Sequence, residues 1–161
     1  YNETKRLGTG GAIKQFLNKI STELHKNFLI LNGDTWLEIN HREFLRKIKK
    51  NKNKMIIAVR SVKYNDRYAS LLIEEDVVKE ITLPNYKEAV INGGLYSINI
   101  NDLKTHVDKI KETAFSFEEI ILPSFQSNNQ LIASKCIEKF IDIGVPKDYL
   151  NAIDYISNLK I

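Results

Sequence analysis

Cysteine occurs once, as Cys136, so no disulfide can form within the chain, and a reducing compartment, the cytoplasm, is the expectation. Cys136 sits in a mixed polar context with no His or Asp spaced around it, and reads as a structural residue. The only histidines, His25, His41 and His106, lie far apart and lack metal-ligand spacing. No apolar run approaches the roughly 18 residues of a membrane span, and no secretion signal is present. Serine is never set in a G-x-S-x-G turn, and no histidine has an evident acidic orienter, which argues against a nucleophilic triad. There is also no G-x-x-x-x-G-K-[ST] and no strand followed by G-x-G-x-x-G, so P-loop enzymes and dehydrogenases are disfavoured. What remains is chemistry that relies on positioning and metal.

The chain has 161 residues, 43% of them hydrophobic and 27% charged, enough to bury one core, and a single domain is expected. The net charge of +4 comes largely from KIKKNKNK at 47–54. That stretch reads as the solvated end of a helix with its loop rather than a nucleic-acid surface, because aromatic interleaving is missing. Mild basicity suits a phosphate-bearing substrate equally well.

Glycine is scarce, yet Gly8, Gly10 and Gly11, three of only seven, cluster in LGTGGAIK. Such a cluster calls for φ > 0 or a close backbone approach, and a bound ligand is one candidate for what approaches. Ile13, Phe16, Leu17 and Ile20 then repeat at helical spacing, so a helix starts among the glycines and its N-terminus favours anions. FLILNGD at 28–34 reads as a strand buried on both faces and closed by a carboxylate. Asn40 and Glu43 form a capping box for a helix through Phe44, Leu45 and Ile48, and MIIAVRSV at 55–62 is a second buried strand. Two strand–helix–strand passages favour an α/β sheet with parallel members.

Farther on, 71–83 reads as two short strands around Glu74–Asp76, and 90–98 as a strand interrupted by a glycine pair, which makes the sheet mixed. Asn101 is read as the cap of a helix near 102–111, and Ser116 with Glu119 as the box of a helix that Pro123 ends or kinks. CIEKFIDIG at 136–144 is a strand ending on Asp-x-Gly, followed by a helix from Pro146 through Tyr149, Leu150, Ile153 and Ile156. Asp34 and Asp142 thus both follow strands directly, where ligands gather in open α/β sheets. Two such carboxylates could share Mg²⁺ with substrate phosphates, or serve merely as turn residues.

Five segments, ETKRLGTGGAI (3–13), FLILNGDT (28–35), INGGLY (91–96), SFEEIILP (116–123) and FIDIGVPKDYLNA (140–152), together resemble the sugar-1-phosphate nucleotidyltransferase family. The likeness is strongest to its bacterial heptose 1-phosphate guanylyltransferase branch. It implies a Rossmann-like three-layer α/β/α sandwich with a mixed central sheet. It also implies transfer of a nucleotidyl group, with GTP the first candidate donor, from a nucleoside triphosphate to a sugar 1-phosphate such as D-glycero-D-manno-heptose 1-phosphate, with release of pyrophosphate. Nucleotide-sugar supply for cell-surface polysaccharide goes with that reaction. Mannose 1-phosphate or another sugar phosphate, and a catalytically silent nucleotide-sugar-binding relative, are the alternatives. No nucleic-acid or membrane partner is expected, and a homo-oligomer stays open.

By the same resemblance, Asp34 and Asp142 are the catalytic carboxylates and hold Mg²⁺. Leu7, Gly8, Thr9, Gly10 and Gly11, with Asn32 and Gly33, bind the nucleotide. Asn92, Gly93, Gly94 and Glu118 line the sugar-phosphate site. Two features depart from the family. Its opening strand, G-G-x-G-T-R-L loop and Pro-Lys pair are missing, so the chain reads as one domain lacking its N-terminal strand–loop–helix portion and inactive by itself. The Glu-Lys pair expected before INGG is replaced by ITLPNYKEAV at 81–90, where Lys87 is the candidate for meeting the sugar phosphate.

Overall fold

The computed structural model describes residues 5–20 and 27–159. Helix α1 (Gly8–Leu17) is followed by strands β1 (Asn27–Leu31) and β2 (Thr35–Ile39), helix α2 (His41–Lys50) and strand β3 (Met55–Val62). A hairpin of β4 (Ser70–Glu74) and β5 (Val77–Thr82) leads to the long strand β6 (Ala89–Asn99) and helix α3 (Ile100–Val107). A π-helical turn, Phe117–Ile121, runs into helix α4 (Leu122–Ser127), and β7 (Leu131–Ser134), β8 (Ile137–Asp142) and helix α5 (Pro146–Ser157) complete the order.

Six strands form the main sheet in the order β1-β6-β3-β7-β5-β4. Period-2 alternation along β3 divides the core between its faces. Met55, Ile57 and Val59 meet α1, α3 and the Phe117–Phe125 segment, while Ile56 and Ala58 meet Phe44 of α2 and Cys136. The α/β/α layering and mixed sheet inferred from the sequence are therefore present. Among the described residues only β3 and β7 pair in parallel; β6 inserts antiparallel between β1 and β3, so the first two strand–helix–strand passages do not make adjacent parallel strands.

Several local expectations change. Strand β1 is not buried on both faces: it lies at the edge of the described sheet, with Phe28 and Ile30 on the core and Leu29 and Leu31 exposed. Strand β6 runs unbroken through its glycine pair, and Gly94 takes φ +75°. Asn99, not Asn101, caps α3, accepting from the Asn101 N–H. Ser116 does accept from the Glu119 N–H, but Pro123 does not end the helix. It sits in the first turn of α4, where a missing N–H costs little, and the wider π-turn precedes it. The basic stretch is solvated except for Lys47, which is buried and paired with Asp76 at 2.6 Å. In α5, Leu150 and Ile153 are exposed, and Ala152 is the buried contact. Among the described residues no helix is long and apolar enough to cross a membrane.

Candidate active site

A two-stranded ribbon that the sequence reading missed decides the site. Strands β2 and β8 pair antiparallel with Thr35 opposite Asp142, so the start of one strand meets the end of the other. The Ile143 N–H donates to the Asp34 carbonyl at 2.9 Å, closing that end. Asp34 and Asp142, far apart in sequence, are thereby brought side by side.

Gly144 leaves the space between them open. A Cβ at that position would stand 3.1 Å from Asp142 Oδ1 and 3.4 Å from Asp34 Oδ2, so a small ion there would be in reach of both. The donors are all oxygen, which suits a hard cation such as Mg²⁺ completed by water and phosphate oxygens. No group of three metal-ligating side chains converges among the described residues, so a cation would rest on this pair and on the oxygens of its ligands.

The carboxylates differ in their partners. Asp142 Oδ2 accepts from Arg67 Nη2 at 2.5 Å and from the Tyr68 hydroxyl at 2.8 Å, and Oδ1 accepts from the Gly144 N–H at 3.0 Å. Among the described residues the Asp34 carboxylate has only a long contact from the Thr35 hydroxyl, 3.4 Å. Burial, followed by the hydrogen bond to Asp142, raises the Tyr68 phenol well above the ordinary tyrosine value, so it stays a donor.

The opposite wall is a connected polar network. Glu118, on the π-turn, accepts from the Thr9 hydroxyl at 2.8 Å and from Ser116 at 3.3 Å through Oε2, and from the Tyr96 hydroxyl at 3.5 Å through Oε1. Tyr96 accepts from Asn92 Nδ2 at 2.6 Å, and Asn92 Oδ1 accepts from the Gly94 N–H at 2.9 Å. Desolvation, then the Glu118 charge, pushes the Tyr96 phenol upward. Gly94 matters for its backbone: φ is +75°, and a Cβ would stand 2.9 Å from the Asn32 side chain. Its carbonyl accepts from the Asn32 N–H at 2.8 Å, which joins the two walls.

Between the walls lies a cleft of about 350 Å³ lined by Asn32, Asp34, Arg67, Tyr68, Asn92, Gly93, Gly94, Glu118 and Asp142, with Leu71, Ile81, Leu122 and Phe140 as its apolar side. A neighbouring cleft of about 410 Å³ shares Asn32, Asp34 and Glu118 and adds Thr9, Ile13, Ile30, Leu31, Gly33, Tyr96 and Phe117. Asn32 and Gly33 stand at the junction. The first cleft holds three carboxylates and one cationic side chain, a balance that disfavours an anionic ligand unless a further cation joins it.

The glycine cluster is helical rather than a loop. Gly8, Gly10 and Gly11 do not form a loop lining either cleft; they are the first turn of α1, packed on residues 113–115. A Cβ on Gly10 would stand 2.2 Å from the Phe115 ring, and one on Gly11 2.4 Å from the Thr113 carbonyl. The Gly10 and Gly11 N–H groups both donate to the Phe115 carbonyl, at 2.9 and 3.3 Å, so these donors at the helix N-terminus are already used. Leu7 is buried and takes no part in the clefts, and Thr9 alone of the five reaches one. The close approach inferred from composition is real, and its partner is the chain itself.

Lys87 is exposed on the β5–β6 loop and lines neither cleft. The cation in the site is Arg67, on the β3–β4 loop, where no periodicity or motif signalled it. Tyr68 was equally hidden. Tyr96 stands at the end of the quoted INGGLY, where its place two residues past a glycine pair was the available hint.

Comparison with known proteins gives the family. The nucleotidyl transferase family model matches residues 1–158. The chain is 36% identical, over 151 residues, to D-glycero-alpha-D-manno-heptose 1-phosphate guanylyltransferase of Campylobacter jejuni, covering 91% of this chain and 62% of that protein. Similarity to mannose-1-phosphate guanylyltransferase 1 of Arabidopsis thaliana is 29%, over 98% of this chain and 44% of the relative. The crystal structure of HddC from Yersinia pseudotuberculosis complexed with GMP-PN superposes with a TM-score of 0.70 at 31% identity, over 96% of this chain and 64% of that one. The chain thus spans less than two thirds of the length of these relatives. With a family match along nearly its whole length and a shared fold, the chain belongs to the nucleotidyl transferase family.

Proposed function

We propose that the protein carrying this chain transfers a guanylyl group from GTP to a sugar 1-phosphate, with D-glycero-D-manno-heptose 1-phosphate the first candidate and mannose 1-phosphate the second. The observation that carries this reading is the meeting of Asp34 and Asp142 around the gap at Gly144, at the mouth of a cleft walled by Asn92, Gly94 and Glu118. The names of the similar proteins supply the base and the sugars.

In such a transfer a sugar-phosphate oxygen attacks the α-phosphorus while pyrophosphate leaves, so the protein must hold two polyanions in line and offset their charge. Asp34 and Asp142 would hold Mg²⁺, which when bound neutralises phosphate charge and orients the reacting oxygens. Asn92 and Glu118 offer an amide and a carboxylate for sugar hydroxyls, and their rotamers are fixed by Tyr96 and Thr9. Arg67, which lines the cleft, replaces Lys87 as the candidate for meeting the sugar phosphate. Gly33 has nothing within 4 Å of where a Cβ would be, so its face is free to lie against the nucleotide. No side chain needs to bond covalently to the substrate.

The test is pyrophosphate release by the complete protein, with heptose 1-phosphate or mannose 1-phosphate paired with GTP, ATP, CTP or UTP, with and without Mg²⁺. Release that requires Mg²⁺ and prefers GTP supports the reading. No release with any pair overturns it and favours the silent binding relative.

A further inference from the structure

Among the described residues Arg67 is the sole Lys or Arg side chain lining the cleft of the two aspartates, and its guanidinium is committed twice. Nη2 pairs with Asp142 Oδ2 at 2.5 Å, and Nη1 with Asp148 Oδ2 at 3.1 Å. Asp142 therefore has no idle oxygen: Oδ2 holds Arg67 and Tyr68, and Oδ1 holds the Gly144 N–H. A divalent cation between Asp34 and Asp142 competes with this guanidinium for the same carboxylate, and like charges a few ångströms apart repel strongly in a partly desolvated site.

The surroundings allow the side chain to move while its backbone stays. Asn65, itself buried, donates to the Tyr68 carbonyl at 2.6 Å and to Ser70 at 2.9 Å, and accepts from the Tyr68 N–H at 2.9 Å, which pins the loop on both sides of Tyr68. The Arg67 side chain is 37% exposed and lies 5.0 Å above the Tyr68 ring, so it can rotate without disturbing the core. Asp148, in the first turn of α5, offers a second carboxylate on a regular element.

We propose that Arg67 is the resident counter-ion of the aspartate pair: it occupies Asp142 when no divalent cation is present, and cation binding transfers it to Asp148 alone. This rests on the reading that Asp34 and Asp142 bind a divalent cation. Arg67 keeps neighbouring carboxylates together in the empty site and sets a threshold for metal entry, and Asp148 lowers that threshold by receiving the displaced guanidinium.

The experiment is a titration of the complete protein with Mn²⁺, free ion being read by electron paramagnetic resonance, and it needs no substrate. The expected result is that Arg67→Met binds Mn²⁺ on the order of tenfold more tightly than wild type. Asp148→Asn should bind it several-fold more weakly, but only while Arg67 is present; in the Arg67→Met background the second substitution has no further effect. Arg67→Gln repeats the cycle should the methionine variant fail to fold. Arg60→Met is the control for charge alone, because Arg60 lines the outer side of Asp142 and donates to the Phe140 carbonyl without bonding the carboxylate. Unchanged Mn²⁺ affinity in both Arg67 variants, equal weakening by Asp148→Asn in the two backgrounds, or equal tightening by Arg60→Met overturns the proposal. Asp142→Asn separates it from the reading beneath: if that variant binds Mn²⁺ like wild type, the aspartate pair is not the metal site.

Discussion

At the scale of single residues, glycine serves different ends at different positions. Gly10 and Gly11 are demanded by the chain's own packing, Gly144 by the gap between two carboxylates, and Gly33 by nothing in its own surroundings. Gly11→Ala should cost about 1–3 kcal/mol, since the Thr113 carbonyl in its way is backbone and cannot rotate aside, whereas Gly33→Ala should leave the thermal midpoint nearly unchanged. Thermal melts of the two variants check the contrast, and equal losses would contradict it. Asp34→Asn and Asp142→Asn should each reduce turnover by on the order of 10²-fold or more, the scale for removing one electrostatic stabiliser, measured as pyrophosphate release. Composition revealed that glycine was concentrated at 8–11; it could not reveal that residues 113–115 are what it approaches, because that contact spans about a hundred positions. Arg67 was illegible for the same reason, its role arising from a loop conformation set by Asn65.

At the scale of elements, local signals carried far. The Asn40–Glu43 spacing marked the start of α2, and the Asn40 side chain accepts from the Glu43 N–H at 3.0 Å. Asn40→Ala should therefore cost about 1 kcal/mol, read as a lowered urea midpoint with an unchanged slope; an unaltered midpoint would show that the cap contributes nothing. The strand end at Asp142 was also legible from an apolar run closing on a carboxylate, whereas Asp34 does not follow its strand directly: β1 ends at Leu31 and Asp34 sits in the turn before β2. The β2–β8 ribbon was not legible, because Thr35–Ile39 is partly buried along its whole length and shows no clean alternation. Strand β1 misled in the opposite sense: its apolar run reads as a strand buried on both faces, yet in the described sheet it lies at the edge with both of its leucines, Leu29 and Leu31, exposed. A run of hydrophobic residues reports the propensity to pair and says little about which neighbours are present.

At the scale of the whole molecule, a sheet covered on both faces sets the ends of β1 and β8 beside the π-turn that bears Glu118. The same packing leaves a pH signature outside the site. His106 donates to or accepts from Ser124 at 2.9 Å and stacks on Phe125 with ring centroids 3.9 Å apart. Burial first, then the positive charge of Lys109, lowers its proton affinity below that of an ordinary histidine. The unfolded chain then binds the proton at higher pH than the folded one. This contribution to stability is complete above the unfolded value of about 6.5 and is lost as pH falls through that value toward the lower folded one. Urea midpoints at pH 7.5 and 5 should show a drop that His106→Gln reduces; an identical drop in the variant would contradict this assignment.

The central claim is that the carboxylates at 34 and 142 share one divalent cation. Its most direct test is an anomalous difference map from crystals of the complete protein grown with Mn²⁺. The account predicts a single strong peak beside Gly144, about 2.1 Å from an oxygen of each aspartate. A peak held by other residues, or none at this position with the protein saturated in Mn²⁺, would contradict it.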